Sequence, residues 1–553
     1  MRNFEIGRRA EWLRLLTFFA VLAARNSWCA DSPAESTDPL LNLFIQKGYV
    51  TQAEAAKVKA EADQLRTNDL ASLTPPASNW KVSSGIKNME VFGDIRLRYE
   101  DRSATDPAGN KIDLARMRYS LRFGLRGDLY DDFYFGFRME TGASPRSPWV
   151  TMGTSSSGNS PYQGPYGKST AGINVGQIYL GWHPQDWVDI TAGKMPNPLY
   201  TTPMVWSANL NPEGVAEKFK YSVGEADFFG NFGQFVYADL NPNTADQGLG
   251  VNGLTGQNTD NVFMFAWQGG LNYHITPTVS AKVAGTIYNY THLKSSSQQP
   301  NGGGLSPYFG DPYVGEGSYY YSGGAAHGYA PGYAGYSPGT QFNYGANGGY
   351  GSVSYPFNQV GLNNLLVLEI PFEINFKISK LATRLFGDVA YNLDGSQRAQ
   401  DAASAYNTIS TQDPGPTTIP HTISAQTQDV KAYQFGFGIG STNFVAGPSQ
   451  GVVYGSASSK HAWEFRTYWQ HIEQYSLDPN LIDTDFFEGR ENMQGIYTAL
   501  AYCFSGNVYG AVRYGYAKRI NDQLGTGGSN QDIPQMNPIN SYSIFQVDLG
   551  VRF

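Results

Sequence analysis

Arginines spaced by even numbers are the first chemistry in this sequence: Arg96 and Arg98, then Arg116, Arg118, Arg122 and Arg126, then Arg138. Successive side chains of an extended chain point to opposite faces, so each run puts its guanidiniums on one face. Asp94, Glu100, Asp128 and Glu140 fall on that same phase. The opposite phase is greasy: Val91, Ile95, Leu97 and Tyr99 in the first run, Met117, Leu121, Phe123 and Leu125 in the second, Phe133, Phe135, Phe137 and Met139 in the third. Neighbouring strands lie about 4.8 Å apart, so three such strands side by side would merge the arginines into one patch. Guanidiniums stay ionised at any working pH, and an excess of them draws anions. The interleaved carboxylates would instead make an ion-paired wall with no selectivity role. Both readings stand at this level.

The second candidate is the segment 195–213, which opens Met195-Pro-Asn-Pro-Leu-Tyr and carries four prolines and no charge as far as Pro212. Pro196, Pro198, Tyr200 and Trp206 make it stiff and poorly suited to water. It is expected to fold inward and constrict whatever space the arginines line, or else to pack against a neighbouring subunit. Nothing has catalytic spacing: His461, His471, Glu473 and Ser476 could be arranged as a hydrolase site, but no motif fixes them. The seven histidines lack metal-ligand spacing, so no catalytic residue, metal or cofactor is expected. A net charge of −8 argues against nucleic acid, which favours a basic face.

These residues need elements to hold them, and composition points to strands. Aromatics are 14%, glycines number 63, and charged residues are 16%, against roughly 25% in an ordinary soluble domain. The sequence has no apolar stretch of about 18 residues, so a transmembrane helix is excluded. The longest, Leu15–Ala24, follows Arg2, Arg8, Arg9 and Arg14 and reads as the core of a secretory signal peptide over 1–30, cut after Cys29 or Ala30. With Cys29 removed, Cys503 is left alone and no disulfide can form within the chain. Residues 31–78 form an expected helical segment and linker: Leu40, Leu41, Phe44 and Ile45 recur at helical spacing, Thr51 and Glu54 have capping-box spacing, and Pro75-Pro76 ends the helix. Its bland reading is a periplasmic cap; the sharper one is a self-associating helix that helps build a trimer.

From residue 79 to 553 the pattern predicts an all-β fold, a transmembrane antiparallel β-barrel of about sixteen strands. Period-two segments fall at 90–101, 112–128, 130–142, 171–183, 186–194, 214–222, 225–239, 261–275, 278–291, 362–377, 381–394, 429–441, 461–474, 493–504, 507–519 and 542–553. Most reach the 9 or more residues that cross a bilayer at a tilt. On the lipid face an arginine would cost roughly 2–4 kcal/mol at the midplane, so the arginine phase must face the lumen. Short links follow the even strands and long ones the odd strands, including 143–170, 292–361 and 395–428; the link 442–460 is the exception. An even strand count puts both termini in the periplasm. The last strand runs Phe545, Val547, Leu549, Val551, Phe553 on its apolar phase and resembles the assembly signal of bacterial outer-membrane barrels.

The segments Leu40-Leu-Asn-Leu-Phe-Ile-Gln-Lys-Gly-Tyr-Val-Thr, Phe92-Gly-Asp-Ile-Arg-Leu-Arg-Tyr-Glu, Arg116-Met-Arg-Tyr-Ser-Leu-Arg-Phe-Gly, Val175-Gly-Gln-Ile-Tyr-Leu-Gly-Trp and Thr191-Ala-Gly-Lys-Met-Pro-Asn-Pro resemble the putative-porin family of Gram-negative outer membranes. The resemblance implies a passive aqueous channel, not an enzyme, for small polar solutes or ions, in contact with outer-membrane lipid. Beside it, the strand ending at Phe553 points to the barrel assembly machinery, and a homotrimer is a further expectation. The resemblance supplies no substrate, and the Gly/Tyr-rich part of loop 292–361 departs from it. Two other classes stay open: an adhesin or receptor using that extracellular loop, and a barrel hydrolase. An energised transporter would need a plug domain, for which the ~60 residues before the first strand are too few.

Overall fold

The computed structural model describes residues 85–107, 109–142, 147–153, 172–238, 262–291, 318–322, 325–329, 364–400, 403, 424–441, 460–485, 487–526, 532–533 and 539–553. The expected signal peptide, the helical segment 31–78, most of loop 292–361 and the link 442–459 lie outside them. The chain divides into Met1–Val82 and Ser83–Phe553, and the described elements all belong to the second unit.

Sixteen long strands build one sheet among the described residues. They are β1 (Ile86–Thr105), β2 (Lys111–Leu129), β3 (Phe133–Gly142), β4 (Gly172–Gln185), β5 (Val188–Lys194), β6 (Glu213–Val223), β7 (Ala226–Ala238), β8 (Val262–Thr276), β9 (Val279–Tyr290), β10 (Leu366–Ile378), β11 (Leu381–Asn392), β12 (Lys431–Gly440), β13 (Trp463–Ile472), β14 (Met493–Cys503), β15 (Val508–Arg519) and β16 (Ser541–Arg552). Each pairs antiparallel with the next, and β1 pairs with β16 from Asp94↔Arg552 to Thr105↔Ser541, which closes the barrel. The closure runs to the last residue: Gly93 N donates to Phe553 O at 2.9 Å and Phe553 N donates back to Gly93 O at 3.1 Å. Two small pieces lie off the wall order, Val150–Thr151 against β2 and a hairpin of Ser318–Ser322 with Ala325–Tyr329.

The strands match the period-two segments, with one informative difference. β1 and β2 outrun their predicted ends, so only residues 106–110 join them where a longer link was expected. The added residues, among them Ser103 and Thr105, lie past the greasy band, where the outer face no longer needs apolar side chains and the hydropathy signal fades while the ladder continues. β12 ends at Gly440 among the described residues, and the link 442–459 lies outside them.

Alternation resolves into faces as expected. Ile95, Leu97 and Met117 are 48%, 45% and 51% exposed, whereas Arg96, Arg98 and Arg118 between them are all below 10%. Bare apolar side chains outside and buried charge inside invert a soluble protein, and lipid is the solvent that permits it.

The inner space is partly filled by links from the long-link end. Met195, Met204, Val205 and Trp206 pack on Phe235, Met264, Tyr288, Val367 and Ile472 of the inner wall. Phe487, Ile533 and Ile539 pack on Tyr497, Tyr509, Tyr542 and Ile544. Two facing glycines set the base of the first of these links. Gly193 and Gly214 are paired across β5 and β6 at φ of 118° and 152°. A Cβ at either would run into a carbonyl of the adjoining strand, Ile178 O or Gln234 O.

Candidate functional site: an arginine wall and two inward links

The inner face of β1, β2 and β3 holds the arginines the sequence singles out, and the structure adds their partners. Arg98 spans Asp548 of β16 with two bonds, Nε at 2.7 Å and Nη2 at 2.9 Å, and gives Nη1 to Asp485 at 2.7 Å. Asp548 also takes a short bond from Arg513 of β15. Two residues on from Arg98, Glu100 gathers Arg102 at 3.0 Å, Arg116 at 2.7 Å and Arg118 at 3.5 Å. Asp532, from the link after β15, bridges Arg102 at 3.1 Å and Arg116 at 2.7 Å. Trp149 covers the group, its ring 4.0 Å from the Arg98 guanidinium and 4.8 Å from that of Arg96.

The other predicted charges sit apart from this knot. Arg96 pairs with Asp94 at 2.7 Å, and Glu140 takes both Arg122 and Arg138 at 3.2 Å. Near the short-turn rim, Arg126 pairs with Glu90 at 2.7 Å, both more than half exposed. Asp128 there accepts from Asn88 Nδ2 at 2.6 Å.

Glu488, 3.7 Å from Arg102, is also held by Arg490 at 3.0 Å. In all, nine guanidiniums (Arg96, Arg98, Arg102, Arg116, Arg118, Arg122, Arg138, Arg490, Arg513) meet seven carboxylates (Asp94, Glu100, Glu140, Asp485, Glu488, Asp532, Asp548) along this sector, an excess of two. Arg513 and Asp548 lie on the lumen phase of predicted strands and were findable by it; Arg102 lies past the predicted end of β1. Asp485 and Asp532 come from links, where nothing local marks them.

The segment 195–212 crosses the inner space. At one side Arg122 Nη2 donates to Asn209 Oδ1 at 2.5 Å, and Gln177 Nε2 to Asn211 Oδ1 at 2.9 Å. At the other, Tyr200 N donates to Gln268 Oε1 at 2.9 Å and Thr201 Oγ1 to Glu369 Oε1 at 2.6 Å, while Thr202 Oγ1 makes a short bond to Asp388. Tyr288 OH gives Glu369 its second bond at 2.6 Å. Tyr200 and Trp206 are buried, Pro198 half-buried and Pro196 exposed. The indole of Trp206 donates back to Leu210 O at 3.0 Å, which ties the link into a compact turn.

The link after β13 meets it. Ser207 N donates to Leu481 O at 2.6 Å and Asp483 N to Pro203 O at 3.0 Å. Ser207 Oγ donates to Asp483 Oδ1 at 3.3 Å. Burial and the charge of Asp485 push the Asp483 carboxyl up to about 6. Burial works the same way on Asp485, but the Arg98 charge outweighs it and holds Asp485 well below the usual carboxylate range. Arg102 and Arg116 likewise overcome burial and keep Asp532 low.

Of the residues of a notional hydrolase, His471, Glu473 and Ser476 are neighbours and His461 stands apart. His461 precedes β13 and His471 lies near its other end; His461 Nδ1 lies 2.6 Å from Tyr502 OH, and His471 Nε2 3.3 Å from Glu473. Ser476 Oγ donates to the backbone carbonyl of Glu473 at 2.6 Å. Among the described residues no group of His, Cys, Asp and Glu is arranged to hold a metal ion.

Comparison with known proteins adds one assignment. A family model described as a putative porin matches residues 95–553, all but the first part of β1. No curated protein matches the chain. Among solved structures it is similar to the anion-selective porin from Comamonas acidovorans, with 9% identity over 84% of this chain and 99% of that one at a TM-score of 0.35. It is also similar to OprB of Pseudomonas putida, with 9% identity over 84% and 94% at a TM-score of 0.39.

Proposed function

The chain belongs to the putative porin family, and on that membership we propose that it is an outer-membrane porin, a passive water-filled channel for small polar or charged solutes, with no catalytic role. The observation that carries the reading is the division of faces in a closed sixteen-strand barrel, apolar side chains outward and ionised ones inward. A barrel of about this size encloses more space than its own side chains fill, which leaves room for an aqueous path. The segment 195–213 is the constriction: it reaches from Arg122 and Gln177 to Glu369 and Asp388, across the inner space.

Arg96, Arg98, Arg116, Arg118, Arg122, Arg126 and Arg138 form the basic strip on the lumen side, with Asp94, Glu100, Asp128 and Glu140 as its acidic partners. The excess of two guanidiniums supports a mild anion preference. The β-strand pairing of the terminal Phe553 with Gly93 supports recognition of the last strand by the assembly machinery after export by a cleaved signal. Trimerisation through the helical segment 31–78 belongs to the same reading. The deciding experiment is a planar bilayer recording of the purified full-length protein. Stepwise, ohmic conductance is expected; a protein that inserts and never conducts removes the channel reading.

A further inference from the structure

Beneath the constricting segment, on the side of the short turns, the inner wall from the β4–β5 turn to β9 leaves a cavity of about 500 Å³. That is the size range of small-molecule sites. Its roof is Pro198, Leu199 and Tyr200, and its wall includes Phe229, whose ring stands edge-on to Tyr200 at 6.3 Å between centroids. Into this corner projects Lys282, with Nζ 4.0 Å from the centre of the Tyr200 ring and 4.9 Å from that of Phe229. Among the described residues Lys282 makes no ion pair. Glu373, opposite it on β10, is engaged by Arg384 at 3.2 Å.

The other charges of the cavity are mostly spoken for. Lys218 is held by Asp189 at 2.6 Å, and Asp227 by His274 at 3.1 Å. Lys220 and Asp186 line the cavity without an ion pair among the described residues. Two ammonium groups thus face one carboxylate for an incoming ligand. An ammonium resting on aromatic faces is only partly compensated, and a carboxylate brings what it lacks. The flat apolar surface beside it suits a planar body better than a bare inorganic anion.

We propose that this cavity is a binding station for a small organic carboxylate with a flat, apolar body, its carboxylate on Lys282 Nζ and its body against Tyr200, Phe229 and Leu199. The assignment rests on the channel reading above and names its solute class. The constricting segment supplies the roof, so a solute would pause here before or after passing it.

The test uses the full-length protein in planar bilayers, with phenylacetate as probe, phenylacetamide as its uncharged counterpart and acetate as the carboxylate without a ring. Phenylacetate should reduce the current saturably, with half-block at a concentration at least tenfold lower than for either control. Lys282→Met should raise that concentration about tenfold, measured against the variant's own ligand-free current, and Lys282→Arg should keep it near the original. If Lys282→Met does not insert, the wild-type comparison and Lys282→Arg decide. Equal block by phenylacetamide, no block by phenylacetate, or block by glucose alone would overturn the assignment while the channel reading stood. Absence of any conductance would instead remove the channel reading.

Discussion

Asp548→Asn tests whether the arginine knot is solid or wet. Asp548 is buried, takes two bonds from Arg98 and one from Arg513, and has a side chain with no exposure at all. Asparagine keeps the shape and removes the charge, which leaves two buried guanidiniums with Asp485 as the nearest carboxylate bonded to Arg98. Removing one partner from a buried ion pair costs roughly 3–5 kcal/mol. With a urea slope of about 3 kcal/mol per M, the upper range for small proteins, the unfolding midpoint should fall by about 1–1.7 M. The assay is urea unfolding in detergent micelles, followed by tryptophan fluorescence and by the mobility difference between folded and unfolded barrel on gels. Arg126→Gln is the internal control. Its pair with Glu90 is more than half exposed on both sides, and exposed pairs contribute roughly 0–1 kcal/mol. A midpoint for Asp548→Asn no lower than that of Arg126→Gln would refute the reasoning: water would reach the knot, and these arginines would be open wall.

The links and the wall give three further outcomes. Asp483, raised to about 6, binds its proton more tightly folded than unfolded, so its contribution is complete below about pH 4 and is lost as pH rises through 6; Asp485, held low, does not change in that window. Stability should therefore fall between pH 4 and 6, and Asp483→Asn should flatten that slope in urea titrations. Thr202→Val takes the hydroxyl from the buried Asp388, which should cost about 1–3 kcal/mol and raise mean single-channel conductance as the constricting segment loosens; unchanged current would separate the tether from the constriction. Replacing Arg116, Arg118 and Arg122 together with Gln turns the excess of two positive charges into a deficit of one. The zero-current potential should then move toward cation preference, most at low salt where the Debye length is about 30 Å, and an unmoved potential would mark the wall as neutralised.

The part of the fold legible in the sequence is the part that lipid constrains. Lipid on one face and charge on the other impose a strict period of two, so strand positions and the lumen phase of Arg96 to Arg138 could be read directly. Past the lipid band that constraint lapses, which hid the ends of β1 and β2 and, with them, the inward Arg102. The composition of 195–213 showed that it would avoid water. Where it docks was not legible, because Thr201 and Thr202 meet Glu369 and Asp388 at separations of 168 and 186 residues. Asp485 was equally hidden, reaching Arg98 across 387 residues from a link with no periodicity of its own.

Those hidden partners change which arginines a passing solute can feel. A fully buried guanidinium held by three carboxylate bonds, as Arg98 is, projects little net field, since its counter-charges lie within 3 Å on the same side of the wall. Arg122 and Arg138 differ: they share the single carboxylate of Glu140, and their side chains remain 17% and 13% exposed. Arg122 also touches Asn209 of the inward segment 195–212. On the channel reading, selectivity therefore belongs to this under-compensated pair at the edge of the constriction, while the larger knot of β1, β2 and β16 serves to hold the inward links in place. The number of arginines on the lumen phase is then a poor guide to ion preference; the deciding quantity is how many share each carboxylate where the path is narrow.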